Sequence, residues 1–233
     1  MKTILTLVLC LFVLSAFSQA VLVKAGQDYT KTIPHKDRYL YQDFMDGQLH
    51  YPQGKKSPVL KLNYNLIFAA VQFIDSNGDT LFIAEESNIF KYVSIENNLF
   101  FHDFQQGYFE ILTKQPAIKL VSQLKWNIVR KDVMIDNGYG SSSSMSNSDY
   151  STIRMSGANN FIQNENTLFE KEISYYLLDK KYRVHKATKN NVIKVFPDHK
   201  NEIQLFLKDN NVDFSNKDDL KKLLDFCNML PNA

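Results

Sequence analysis

From about Phe44 to Arg130 apolar residues recur at every second position. Leu60, Leu62, Tyr64, Leu66 and Phe68 alternate with Lys61, Asn63, Asn65 and Ile67. Further on, Ile118, Leu120, Leu124, Trp126 and Ile128 alternate with Lys119, Gln123, Lys125 and Asn127. Successive side chains of a strand point to opposite faces, so each run predicts a strand with one dry and one wet face. Turn signals separate the runs at Pro52-Gln53-Gly54, Asn77-Gly78, Asn97-Asn98, Gln106-Gly107 and Gln115-Pro116. Short strands spaced in this way predict an antiparallel meander over 44–135, folded as a sandwich or as a curved, partly closed sheet. A further hairpin is expected within 161–187 and packed on that sheet, with Phe169 to Leu178 and Tyr182 to His185 around Asp179-Lys180-Lys181.

The period then becomes helical. Thr188 or Asn190 is placed to cap a short helix running through Phe196, and Pro197-Asp198 opens a second that would bury Ile203, Phe206 and Leu207. Ser215, three residues before Asp218, resembles a capping arrangement. After it Leu220, Leu223, Leu224, Cys227 and Leu230 trace one helical face. The fold expected is mainly β with a C-terminal α portion (α+β) of two or three short helices in 188–233.

Two segments stand outside these periods. Residues 136–160 carry "NGYGSSSSMSNSDYST", rich in Ser, Gly and Asn, which reads as a flexible surface loop. Residues 1–20 begin with Met1-Lys2-Thr3, continue through an apolar stretch from Ile4 to Phe17 and end in Ser18-Gln19-Ala20. That is the pattern of a cleavable signal peptide, and the apolar stretch is shorter than the roughly 20 residues that span a bilayer. Residues 21–43 form an N-terminal extension between this leader and the meander.

Export changes how the composition is read. Cleavage leaves Cys227 as the one cysteine, so no internal disulfide is available and stability must come from a core. Charge is nearly balanced, with 27 Lys and Arg against 25 Asp and Glu, which argues against nucleic acid as a partner. No later segment reaches transmembrane length. Twelve tyrosines and seventeen phenylalanines, many in predicted strands, either fill the core or line a pocket for an apolar ligand.

Candidate chemistry is sparse. Asp75, Asn77, Asp79 and Glu86 stand at positions one, three, five and twelve of a calcium loop. Position six is Thr80, poorly suited to the sharp turn that Gly makes there, and the flanks read as strands where that loop has helices. The Asn77-Gly78 pair predicts instead a two-residue hairpin loop pairing Ile74 with Leu81, Phe73 with Phe82 and Val71 with Ala84. Apolar on both sides, this hairpin is expected in the middle of the sheet.

His35, His50, His102, His185 and His199 include no pair three or four residues apart, so no local zinc motif is present. His102-Asp103 on a strand would face opposite ways. The serines from Ser141 to Ser144 lack a nucleophile-elbow setting, and no glycine array cradles a phosphate. Glu85-Glu86 and Asp218-Asp219 read as a hairpin edge and a helix start, and Cys227 reads as core. The sequence thus nominates no catalytic, cofactor-binding or metal-ligating residue.

"LNYNL" (62–66), "VQFIDSNGDTLFIA" (71–84), the serine-rich loop and "KVFPDHKNEIQLFLKDNNVDFSNKDDLKKLLDFCNML" (194–230), together with the leader, resemble a group of exported proteins of unknown function from Gram-negative bacteria. The resemblance implies a periplasmic, outer-membrane-associated or secreted location and carries no functional residue with it. The function expected is that of an exported envelope or secreted protein that binds or interacts without catalysis, with an envelope protein or an apolar ligand as its partner. The alternatives are a periplasmic carrier of an apolar, lipid-like ligand and a hydrolase with a dispersed site.

Overall fold

The computed structural model describes residues 20–83, 89–113, 118–132 and 161–231. The leader up to residue 19, Ala84, Glu85-Glu86, the Gln115-Pro116 turn and the serine-rich segment lie outside the described residues. The protein is mainly β with C-terminal helices. Among the described residues, eleven antiparallel strands form one open sheet: β1 (Ala20–Val23), β2 (Met45–His50), β3 (Leu60–Asn65), β4 (Ala70–Ile74), β5 (Thr80–Phe82), β6 (Tyr92–Ile95), β7 (Asn98–Asp103), β8 (Gly107–Ile111), β9 (Lys119–Asp132), β10 (Asn166–Leu178) and β11 (Val184–Lys186). Their order is β1-β10-β9-β8-β7-β6-β2-β3-β4-β5, and β11 also pairs with β10. Two meanders, β2–β5 and β6–β10, therefore meet where β2 pairs with β6. Among the described residues, no helix is long and apolar enough to cross a membrane.

The stretch expected as an added hairpin is continuous with the sheet. β10 pairs with β9 from Asn166 to Leu178, and its other edge takes β1 at Thr167–Glu170 and β11 at Tyr176–Leu178. The N-terminal extension supplies β1 and two single-turn helices, α1 (Tyr29–Thr32) and α2 (His35–Arg38).

The sheet curls without closing. β8 and β9 pair only at Glu110–Ser122 and Ile111–Val121. Where they diverge, the turn between β3 and β4 wedges in: the Trp126 amide donates to Leu66 O at 2.9 Å and the Tyr108 amide to Ala69 O at 3.2 Å. Alternation past Asn65 therefore ends in a turn, and Leu66 and Phe68 are not strand residues. Inside the curl Tyr64 stacks on Phe100, ring centroids 5.4 Å apart, within a core that includes Leu62, Val71, Val93, Ile95, Tyr108 and Trp126.

On the face of β3 expected to be wet, Lys61 is exposed but Asn63 and Asn65 are buried. Asn63 donates through Nδ2 to Tyr41 O and Asp43 O and accepts at Oδ1 from the Tyr41 and Tyr64 amides, strapping residues 41–43 across the strand. Asn65 Nδ2 donates to Gln72 Oε1 at 2.9 Å, and its Oδ1 accepts from the Ile67 and Phe68 amides in the turn. A buried polar side chain is tolerable when its hydrogen bonds are met in this way.

The helices α3 (Lys189–Val195), α4 (Lys200–Asn210) and α5 (Lys217–Met229) cover the other end of the same sheet face. Leu120, Tyr175 and Leu177 meet Val192, Phe196, Ile203, Leu220, Leu223, Leu224 and Cys227 there, and the helical stripe read from the sequence is this contact. Thr188 caps α3 by accepting from the Asn191 amide. The cap of α5 is Asn216, which accepts from the Asp218 and Asp219 amides, and not Ser215, whose hydroxyl donates to Asp213 at 2.6 Å. The helix starts at Lys217, one residue later than the Ser spacing suggests, so the capping position falls to Asn216, a residue well suited to it.

The acidic corner at 75–79 is a hairpin, one residue off the expected register. Gln72 pairs with Phe82, Phe73 with Leu81 and Ile74 with Thr80. Asp75 Oδ1 accepts from the Asn77 amide at 2.9 Å and the Asp79 amide at 2.8 Å, and Asp75 and Asp79 close the turn through their backbones. This stabilises a three-residue loop over the two-residue one, with Gly78 at φ +86° supplying the left-handed residue that such a loop needs. A one-residue slip exchanges faces, so Phe82 sides with Gln72 and Leu81 with Phe73. The hairpin also lies at the edge of the sheet and not in its middle, leaving Ile74, Leu81 and Phe82 exposed.

Candidate functional site

The same corner recurs at the end of β10, where it borders a cleft. Leu178 pairs with Val184, and the chain turns through 179–183. Asp179 Oδ1 accepts from the Lys181 amide at 2.8 Å and the Arg183 amide at 2.9 Å. Its backbone amide donates to Arg183 O, and the Tyr182 amide donates to Asp179 O. The left-handed position falls on Tyr182, at φ +60°. Positive φ is uncommon for an aromatic residue and persists where surrounding structure enforces it. Here Tyr182 stacks on Phe101 at 6.1 Å on the far side of the sheet, with Lys91 Nζ 5.5 Å from its ring centre.

Asp179 also anchors two side chains. Alternation along β10 and β11 puts Leu177, Asp179, Arg183 and His185 on one face. Asp179 Oδ2 accepts from Arg183 Nε at 2.7 Å, and His185 Nε2 lies 3.1 Å from it. The Asp179 side chain is 7% exposed, that of His185 16% and that of Arg183 64%. Burial alone would push the carboxyl up. Hydrogen bonds from the Arg183 amide, His185, the Arg183 guanidinium and the Lys181 amide outweigh it and hold Asp179 at about 2.

Facing this turn is the end of α3. Pro197 has no amide hydrogen and restricts Phe196, so the helix stops there and the chain bends away. Between turn and helix end lies a cleft of about 350 Å³, lined by Lys180, Lys181, Arg183, His185 and Lys194 around Asp179, with Ile118, Val195, Phe196 and Pro197 as apolar wall. Such a volume suits a small ligand. Asn228 of α5 fixes Ile118 by accepting its amide and donating to its carbonyl. From Asp179 to Lys194 the chain carries six lysines and arginines against one aspartate, in a protein of net charge +2.

Of the residues weighed in the sequence, His185 lies in this cluster and the other described ones fall elsewhere. Asp75 and Asn77 spend their side chains on the corner itself, which Asp79 joins through its backbone. His102 packs between Phe90 and Tyr108 on the inner face, while Asp103 caps the β7–β8 turn by accepting from the Gln105 and Gln106 amides. His35 lies against Tyr39, and His199 Nε2 is 2.7 Å from Pro231 O. His50 Nε2 lies 3.0 Å from Ser94 Oγ, across β2 and β6, and that hydroxyl also reaches Gln48 O. Burial, with Lys56 nearby, pulls His50 down. Cys227 is fully buried, and burial pushes its thiol up to about 12, the state of a core residue. Asp218 and Asp219 occupy the first turn of α5. Ser141 to Ser144 and Glu85-Glu86 lie outside the described residues. Among the described residues, no group of three or more His, Cys, Asp or Glu gathers as a metal site would require.

The Asp179–Arg183–His185 cluster was missed in the sequence. Its signal was the hairpin itself, since register across 179–183 makes Asp179 and His185 diagonal neighbours. Compared with known protein families, with characterised proteins and with solved structures, this chain finds no significant match.

Proposed function

We propose that this is an exported envelope or secreted protein that works by binding and not by catalysis, and that it binds at the cleft between the 179–183 turn and the end of α3. The observation that carries this reading is the cleft's construction: a saturated buried carboxylate fixes an arginine and a histidine at the mouth of a concavity with an apolar wall. Fixed polar groups over an apolar wall are the ordinary make-up of a ligand site. The strand aromatics support it from the other side. Tyr64, Phe100, Phe101, Tyr108 and Phe109 are almost wholly buried against one another and their neighbours, so they are spent on cores that no disulfide assists.

Native mass spectrometry of gently purified protein tests the reading. A small adduct retained by the native chain and lost from a Lys181→Glu, Lys194→Glu variant is the expected result. A lipid-sized adduct kept by that variant would place the ligand within the sheet and favour an apolar carrier instead.

A further inference from the structure

We infer that the ligand of this cleft is a small organic anion, a phosphate or carboxylate joined to a compact apolar group. The inference rests on the binding reading above and gives it a chemical class. The charge of the mouth comes from four cations, Lys180, Lys181, Arg183 and Lys194, contributed by both sides of the cleft. The one acid among them is spent: both Asp179 oxygens already accept two hydrogen bonds each, so it orders the site while presenting little free acceptor to an incoming anion. Asp179 takes the guanidinium through Nε, and a fork held there still carries two Nη groups suited to a planar or tetrahedral oxyanion. Lys194, in the last turn of α3, offsets the partial negative charge of that helix end.

The wall selects what the anion is attached to. Val195 and Pro197 offer the exposed apolar surface of the cleft, backed by Ile118 and Phe196, which are almost wholly buried in the helix-packed core, so the surface is preformed. A bare inorganic ion would leave that wall wetted. A ring or short branched chain would cover it, at about 25 cal/mol for each Å² of apolar surface removed from water.

Phenyl phosphate, inorganic phosphate and benzyl alcohol, each titrated into isotope-labelled full-length protein and followed by amide chemical shifts, test the assignment. Phenyl phosphate is expected to move the amides of Ile118, Lys181 and Val195 and to bind more tightly than either of the other two. Its affinity should fall with added potassium chloride, because exposed charges are screened. Lys181→Gln with Lys194→Gln should weaken it about tenfold, two exposed charges contributing modestly each. Both lysines are exposed, so the fold should persist, and Lys208→Gln on α4 serves as the control that changes nothing. Equal binding of inorganic phosphate would overturn the organic part. Equal binding of benzyl alcohol, insensitive to salt and to the lysine variant, would overturn the anion while leaving a binding cleft. Silence of the cleft toward all three would remove both. Sedimentation with phosphatidylglycerol vesicles, against phosphatidylcholine vesicles, then decides the source: capture assigns the anion to a lipid headgroup, and its absence beside phenyl phosphate binding assigns it to a free molecule.

Discussion

Gly78 and Tyr182 occupy the same position in two copies of one turn. Each follows an aspartate by three residues, each aspartate accepts the amides two and four residues on, and each third residue takes positive φ, +86° for Gly78 and +60° for Tyr182. At the sheet edge the left-handed position falls to the residue that adopts it freely. Beside the cleft it falls to a half-exposed tyrosine whose ring stacks on Phe101. Strain held by packing is a mark of a site in which geometry matters.

The pair predicts an inversion in a stability series. Gly78→Ala should cost about 1 kcal/mol from backbone strain alone, since a methyl group there meets nothing within 4 Å. Tyr182→Ala loses the ring and keeps the strain, whereas Tyr182→Gly loses the ring and relieves it. Urea unfolding should therefore find Tyr182→Gly the more stable of the two by about 1 kcal/mol. Ala above Gly would mean that Tyr182 is not left-handed.

Asp179 sets an acid limit. Its carboxyl is held at about 2, below the roughly 3.9 of an unfolded aspartate, so its contribution is complete above the unfolded value and is lost as pH falls through about 2. Asp179→Asn should cost about 2 kcal/mol at neutral pH, as charge-assisted hydrogen bonds do. It should also flatten the decline of stability between about pH 4 and 2. Equal slopes for the two proteins in acid would remove Asp179 from the account.

Gly47 is the tightest place in the sheet. It sits on β2 opposite both Leu60 of β3 and Ile95 of β6, and a methyl group there would strike Ser94 O and come within 2.7 Å of Leu62 Cδ1. Gly47→Ala should destabilise by about 2 kcal/mol, because backbone on one side and core on the other must shift. Thermal melting is sufficient to check it. An unchanged midpoint would argue that β2 does not join the two meanders as described.

The 75–79 corner should be indifferent to calcium. Asp75 Oδ1 already accepts two backbone amides, and Oδ2 accepts from Asn77 Nδ2 at 3.4 Å. Millimolar calcium chloride should leave the melting temperature where it was. A clear rise would show the loop recruiting a cation at the expense of those bonds.

Much of the architecture was legible because periodicity reports burial directly. The alternation through β3 and β9 and the stripe from Leu220 to Cys227 each correspond to a face in contact. Where the reading slipped, a side chain had replaced a backbone preference or a distant segment had changed a surface. Asp75 lengthened the Asn-Gly turn by capping it, which moved the register by one. Asn63 reads as solvent-facing until residues 41–43 lie across it. The cleft was harder still, since it needs the register across 179–183 and the docking of α3 together, and no local spacing encodes that pair.

A crystal structure of the full chain grown with phenyl phosphate shows most directly where a ligand sits. The predicted result is a phosphate within hydrogen-bonding distance of Lys181 or Lys194 and Arg183, with its ring against Val195 and Pro197. Density for the probe in the curl around Tyr64 and Phe100, with the cleft empty, would contradict it.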